Sequence, residues 1–192
     1  MSHVSASEYL KKILLAPVYE AAVNSDFDLM NRLSGELGNQ IYLKREDQQP
    51  VKSFKLRGAY NRICQLSQAQ LEKGVIAASA GNHAQGMAYA AKKKQIHATI
   101  VMPETTPDIK VDAVRRFGGE WVTIVQHGTS FDTASQFAQQ LCIDKGLTYI
   151  PPFDEPDVIH APPVFMDRAN VTNELKMLRR EVYVDSMYAF LC

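Results

Sequence analysis

Short apolar segments alternate with longer segments of helical periodicity through the middle of the chain, and this alternation limits the possible folds more than any other feature. The segments GVIAAS, HATIVM, WVTIVQ and LTYIPPF, all within residues 74–153, have the length and residue types of buried strands. Strands of this kind separated by helices form βαβ units around a parallel sheet. We therefore predict an α/β fold in which a parallel sheet, with helices on both faces, forms three layers.

The segments between the strands carry the expected helix signals. After the first strand, one apolar helix face comprises Ala84, Met87, Ala88 and Ala91. The next helix begins near Pro107 and ends at Gly118-Gly119. The last has Ser130 as its N-cap and Gly146 as its C-cap. Its predicted inward positions are Phe131, Ala134, Phe137, Ala138 and Leu141.

Charge and composition exclude several classes of protein. The 192 residues include 21 basic and 21 acidic ones, so the net charge is zero, which argues against a dedicated nucleic-acid binder. No window approaches the roughly 18 apolar residues of a membrane span, and the first residues, MSHVSASEYLKK, lack the apolar core of a secretory signal. Cys64, Cys142 and Cys192 lie too far apart for a disulfide framework or a zinc site. We predict a soluble cytoplasmic protein with no nucleic-acid, membrane or metal partner.

The segment SAGNHAQG, residues 79–86, follows the first strand and starts a helix. In parallel sheets, ligands bind at such loops, where small residues allow close approach and unpaired N–H groups attract anions. Two interpretations stay open on local chemistry alone: an anion site, or a turn that needs Gly81 for its geometry and Asn82 as a cap. A third, nucleotide binding, rests on the Gly81 to Gly86 spacing of a P-loop. It is weak because Met87-Ala88 occupy the positions of the required Lys and Ser/Thr.

A lysine occupies the first turn of another predicted helix, in the segment SFKLRGA. Ser53 can cap this helix, which we predict from Phe54 to about Leu66. Phe54 offers an apolar surface beside Lys55, and the helix N-terminus together with Arg57 favours a neutral, nucleophilic amine at that position. Because isolated lysines are normally solvated, these features alone only suggest a reactive site.

The two segments together resemble a known family. SFKLRGA followed by SAGNHAQG is similar to the fold-type II pyridoxal-phosphate enzymes, which share a fold with the tryptophan synthase β chain, and among them to the threonine and serine dehydratases. The segments LAPVYEAA, LKREDQQPVKSFKLRGAY, DIKVDAVRRFGGE and YIPPFDEPDVI extend the resemblance, most closely to the biosynthetic threonine dehydratases, from about Ser7 to Ile159.

The resemblance implies a cofactor, a reaction and a role for each residue of the two segments. The cofactor is pyridoxal 5'-phosphate; Lys55 forms a Schiff base with it, Phe54 packs by its ring and Asn82 hydrogen-bonds its phenolic oxygen. The substrate carboxylate is held by Ser79, Ala80, Gly81, Asn82 and His83, with His83 contributing through its backbone. The implied reaction converts L-threonine, and also L-serine, by dehydration and deamination. Its product from threonine is 2-oxobutanoate with ammonia, the first step of isoleucine biosynthesis, and the full-length family implies a homo-oligomer.

After Ile159 the chain departs from the family pattern. The family continues with a glycine-rich loop that holds the cofactor phosphate, whereas the last glycine of this chain is Gly146. We therefore expect a truncated or frameshifted chain with an incomplete large domain. Residues 1–52 would form an N-terminal arm and the start of that domain, and residues 53–150 the small domain. Residues 151–192 would start the return to the large domain, with an atypical tail from residue 160. A catalytically inactive remnant is the alternative to an active enzyme.

Two acidic segments are interpreted as surface features. Glu46-Asp47, beside Lys44-Arg45, suggests charge pairing after a strand. The acidic residues of DEPD, residues 154–157, surround a proline and predict a solvated turn rather than a metal site.

Overall fold

The computed structural model describes residues 6–159. The helices are α1 Ala6–Leu15, α2 Asn31–Leu37, α3 Lys55–Cys64, α4 Gln68–Lys73, α5 Asn82–Lys94, α6 Asp108–Gly118, α7 Phe131–Lys145 and α8 Pro156–Ile159. The strands are β1 Phe27–Leu29, β2 Tyr42–Lys44, β3 Val75–Ala78, β4 Ala98–Met102, β5 Val122–Gln126 and β6 Thr148–Tyr149. The predictions made for residues 160–192 lie outside the described residues.

Four strands form one parallel sheet in the order β5-β4-β3-β6. This arrangement confirms the parallel sheet predicted from the alternating pattern. β3 lies inside the sheet, where all four of its residues are buried, so the loop that follows Ala78 opens at the carboxyl edge. The fourth strand is shorter than the segment LTYIPPF suggested: β6 comprises Thr148 and Tyr149, and Ile150 adds one backbone hydrogen bond to Ile76.

Helices cover both faces of this sheet, as predicted. Alternate residues of β3 point to opposite faces: Val75 and Ala77 pack with α3, α5 and α6, whereas Ile76 and Ala78 pack with α7. The predicted apolar face of α5 is fully buried. On α7, Ala134 and Ala138 are buried and Phe137 and Leu141 partly so, but Phe131 is 44% exposed, contrary to prediction. Phe131 is the first residue of the helix and is not among the residues that form the apolar cluster on this face.

The predicted helix ends are observed for α6 and α7 but not for the start of α3. Ser130 accepts a hydrogen bond from the Thr133 N–H, and Gly146 ends α7 in the left-handed conformation. Gly119, with φ of 58°, follows the end of α6. The helix predicted from Phe54 to about Leu66 is observed as the shorter α3, whose capping residue is Phe54.

The segment before α3 is joined to it by a buried ion pair, and here the surface interpretation of Glu46 was wrong. Arg57 Nε and Nη2 each donate to one Glu46 carboxylate oxygen at 2.9 Å, with both side chains almost completely buried. Ser25 Oγ donates to the same carboxylate at 2.6 Å. The exposed pair predicted beside it does exist, between Arg45 and Asp47.

The acidic segment at residues 154–157 is also more than a solvated turn. Arg62 pairs with Glu155 at 3.1 Å and with Asp157 at 3.3 Å, which fixes α8 against α3. The contact is close because Gly58 presents no side chain to Val158: a Cβ at Gly58 would lie 2.8 Å from a Val158 methyl carbon. These charges therefore hold two elements together. Within residues 6–159, no helix is long and apolar enough to span a membrane.

Candidate active site

The loop between β3 and α5 presents several unused backbone N–H groups at the carboxyl edge of the sheet. Gly81 is the capping residue of α5, and its own N–H donates to Ser79 Oγ at 3.2 Å. Across the described residues, no acceptor takes the N–H groups of Ala80, Asn82, His83 or Ala84. These donors converge at a helix N-terminus, which favours negative charge. The loop can therefore bind a carboxylate or phosphate.

The polar side chains of this loop differ in how they are held. Ser79 is buried, and its hydroxyl fixes the loop by accepting from Gly81. Asn82 is the first residue of α5 rather than its cap, and its amide makes no hydrogen bond to any residue in the described range. A Cβ built at Gly81 would meet no atom within 4 Å. An unpaired amide beside open space is thus available to a ligand.

Lys55 lies next to this loop because two helices touch through their backbones. A Cβ at Gly86 would lie 3.1 Å from the carbonyl carbon of Lys55 and 3.1 Å from the backbone nitrogen of Leu56. Gly86 is one turn into α5, so its missing side chain lets the first turns of α3 and α5 approach. The Gly81 to Gly86 spacing therefore spans a helix turn and is not a P-loop, which corrects the nucleotide-binding alternative.

The Lys55 side chain reaches across to the segment that follows β6. Its Nζ donates to the Pro152 carbonyl at 2.8 Å and lies 5.3 Å from the centre of the Phe54 ring. The Lys55 N–H donates to Ser53 Oγ at 3.2 Å, so Ser53 supports the helix start although it is not the capping residue. We expected the charge of Arg57 to favour a neutral amine at Lys55. Instead, Arg57 is paired with the buried Glu46 carboxylate, which balances that charge.

His83 is buried on the inner side of α5. Its Nε2 lies 3.1 Å from the Ile150 carbonyl oxygen, and because a carbonyl only accepts, Nε2 carries the proton. Burial, reinforced by the nearby charge of Lys55, lowers the pKa of His83 to about 4 although the Ile150 hydrogen bond opposes this shift. His83 is therefore neutral near pH 7.

The sequence-predicted residues come together as two neighbouring sets. Phe54 and Lys55 begin α3, and the stretch from Ser79 to His83 leads into α5 beside them. Sequence reasoning missed two contributors, the carbonyl groups of Ile150 and Pro152, because backbone acceptors carry no residue-type signal. The only available hint was the pair Pro151-Pro152 at the end of a strand, which predicts a stiff, extended segment.

These residues fit part of the cofactor that the resemblance implies. A lysine amine beside an aromatic ring suits attachment of an aldehyde, and unused N–H groups at a helix start suit a carboxylate. The unpaired Asn82 amide suits a phenolic oxygen. In residues 6–159, no group of three or more His, Cys, Asp or Glu side chains is placed to hold a metal ion.

The chain belongs to the pyridoxal-phosphate dependent enzyme family, whose model matches residues 26–164. It is 54% identical over 158 residues to the biosynthetic L-threonine dehydratase of Pasteurella multocida, covering 82% of this chain and 30% of that protein. It is 47% identical over 182 residues to the Escherichia coli enzyme of the same name, covering 95% of this chain and 33% of that protein.

A solved structure has the same fold. The processed form of threonine deaminase isoform 2 from Solanum lycopersicum matches with a TM-score of 0.78 and 47% identity, covering 91% of this chain and 47% of that one. The chain thus spans about a third of the length of the curated relatives it matches. The family and fold expected from the two segments are confirmed.

Proposed function

We propose that this chain provides the lysine and the carboxylate-binding loop of a threonine ammonia-lyase, which converts L-threonine, and also L-serine, by dehydration and deamination. The observation that carries the proposal is the contact between α3 and α5 at Gly86, which sets Lys55 beside the free N–H groups of the Ser79–His83 loop. The identity to biosynthetic threonine dehydratases supports the choice of substrate. The product from threonine is 2-oxobutanoate, which places the activity in isoleucine synthesis.

Each residue of the site has a role that its position supports. The N–H groups of Ala80, Asn82 and His83, with Ser79 fixing the turn at Gly81, bind the substrate carboxylate. The Asn82 amide donates to the phenolic oxygen of pyridoxal phosphate, and Phe54 packs by the ring. Lys55 attaches the cofactor covalently.

The reaction requires one proton transfer that Lys55 can perform. When bound, pyridoxal phosphate supplies an electron sink for the pair left on the substrate α-carbon. The Lys55 amine would act as the general base that takes the α-proton, and loss of the β-hydroxyl as water requires a second proton. A carboxylate fixed at the start of α5 keeps the α-carbon within reach of an amine fixed at the start of α3.

A second candidate, a catalytically inactive chain that holds the cofactor only weakly, is favoured by one observation on the sequence. No glycine follows Gly146 in the 192 residues, whereas the family resemblance implies a glycine-rich loop that holds the cofactor phosphate. Each charge-assisted hydrogen bond missing from the phosphate is worth roughly 1.5–3 kcal/mol, enough together to weaken cofactor binding by orders of magnitude. We further propose a cytoplasmic location, and a homo-oligomer for the full-length protein.

The test of the proposed function measures 2-oxobutanoate release from threonine by the full chain with excess pyridoxal phosphate. Lys55→Ala should abolish the release, whereas Lys110→Ala, at an exposed position on α6, should leave it unchanged. Cofactor binding, followed by visible absorption, separates the two candidates. Binding without release would favour the second, and absence of both would overturn the proposal.

A further inference from the structure

We propose that the His83 side chain is a positioning residue: it fixes the segment Ile150–Pro152, and through that segment it sets where the Lys55 amine lies in the site. The inference rests on the proposed function for its catalytic meaning. Its structural content, a fixed Ile150–Pro152 segment, does not depend on any cofactor.

Ile150 is held from two sides. Its N–H donates to the Ile76 carbonyl of β3 at 2.8 Å, which continues the β6 pairing by one residue. Its carbonyl accepts from His83 Nε2 at 3.1 Å, and its side chain is fully buried. The Ile150 N–H is therefore fixed by the sheet, and the Ile150 carbonyl is fixed by His83 of α5. Of these two contacts, only the second depends on a side chain.

The two prolines transmit this constraint to the next carbonyl. Each proline fixes its own φ near −65°, and a residue that precedes a proline is restricted to extended conformations. Ile150 and Pro151 both precede a proline, so little backbone freedom separates the Ile150 carbonyl from the Pro152 carbonyl. Successive carbonyl groups of an extended chain alternate in direction, so those of Ile150 and Pro152 share a side. They accept from His83 and Lys55 respectively.

The Lys55 amine gains a fixed position from this arrangement. A lysine side chain has several rotatable bonds, and its amine samples many positions unless an acceptor holds it. The Pro152 carbonyl, 2.8 Å from Nζ, accepts one N–H of the amine and so holds the nitrogen in place. His83 suits this role because it stays neutral in its buried position and donates through one nitrogen at any pH well above 4.

His83 and its Ile150 contact are tested without cofactor by amide exchange of the full chain. His83→Phe keeps a planar ring but removes the donor, and we expect the Ile150 amide to exchange about fivefold faster, the effect of about one hydrogen bond. His83→Gln can still donate, and its exchange should lie within about twofold of the parent. The exchange rate of the Ile100 amide, inside β4, should change only by as much as any overall loss of stability requires. Equal Ile150 exchange in the parent and His83→Phe would overturn the proposal.

The effect on Lys55 is tested with pyridoxal phosphate and borohydride, comparing the label at Lys55 with that at Lys110. His83→Phe should lower this ratio about fivefold, and His83→Gln should restore it. Val114→Ala, a fully buried change on α6, controls for lost stability and should leave the ratio unchanged. If the parent labels Lys55 and His83→Phe labels it equally, the positioning role is wrong but the proposed function stands. If the parent shows no preference for Lys55, both fall.

Discussion

Three polar residues form the site. Asn82 and His83 lie in the first turn of α5, Lys55 lies in the first turn of α3, and each side chain is held by different contacts. Asn82 has an unpaired amide within the described residues, Lys55 rests on a carbonyl, and His83 is buried with its proton fixed on one nitrogen. The sequence analysis predicted all three as site residues. It did not predict a role for the His83 side chain, because the sequence does not distinguish a buried histidine from an exposed one in a loop.

At the scale of the residue, His83 makes the stability of the chain depend on pH. Its pKa of about 4 in the folded chain lies below the ordinary value of 6.5. In the unfolded chain the imidazole binds a proton near pH 6.5, whereas in the folded chain it does not until about pH 4. The stabilisation is therefore complete above pH 6.5 and is lost as the pH falls towards 4, by a total of about 3 kcal/mol.

Urea unfolding at about pH 7 and about pH 4.5 measures this loss. His83→Gln retains a donor but does not titrate, so its free energy of unfolding should fall less than that of the parent over the same range. The difference between the two proteins isolates His83 from the other titrating groups. A parallel fall in both proteins would show that His83 is not buried in its neutral form.

At the scale of the element, the contact between α3 and α5 decides whether Lys55 meets the anion-binding loop. Glycine inside a helix normally costs about 1 kcal/mol relative to alanine. At Gly86 we expect the opposite sign, because a Cβ would lie 3.1 Å from backbone atoms of Lys55 and Leu56, and overpacking costs about 1–3 kcal/mol. Gly86→Ala should therefore lower the midpoint of thermal unfolding and reduce cofactor attachment to Lys55.

Gly35→Ala provides the matched control for that substitution. Gly35 lies inside α2, and a Cβ there would meet no atom within 4 Å. It should raise the midpoint of thermal unfolding and leave Lys55 labelling unchanged, since only the helix propensity changes. Two glycine substitutions that both stabilise the chain would contradict the close contact assigned to Gly86.

The elements themselves were well predicted, whereas contacts between distant elements were not. The strand after Gly74 and the helix after Gly81 were evident from apolar periodicity, which depends on neighbouring residues. The approach at Gly86 and the burial of Glu46 against Arg57 depend on residues that are remote in sequence. Periodicity carries no information on such pairs, and charged residues are exposed in most cases, so the surface interpretation of Glu46 was wrong.

At the scale of the whole molecule, a buried ion pair connects the segment before α3 to the sheet domain. We propose that residues 53–150 form the small domain and that residues 1–52 begin the large one, with residues 151–192 returning to it. Arg57 on α3 and Glu46 join the first two of these regions. Removal of one partner from such a pair typically costs about 3–5 kcal/mol, because the other charge stays buried. The position of Lys55, two residues before Arg57, depends on this anchor.

We propose above all that this fold assembles a reactive lysine at the start of α3. The most direct measurement is borohydride reduction of the full chain with excess pyridoxal phosphate, followed by digestion and mass spectrometry to locate the label. We predict a label on Lys55 ahead of every other lysine, since only Lys55 combines an aromatic neighbour, a fixed amine and an adjacent anion-binding loop within the described residues. A label spread evenly over Lys55 and the helix-end lysines Lys92, Lys93 and Lys94 would contradict the claim.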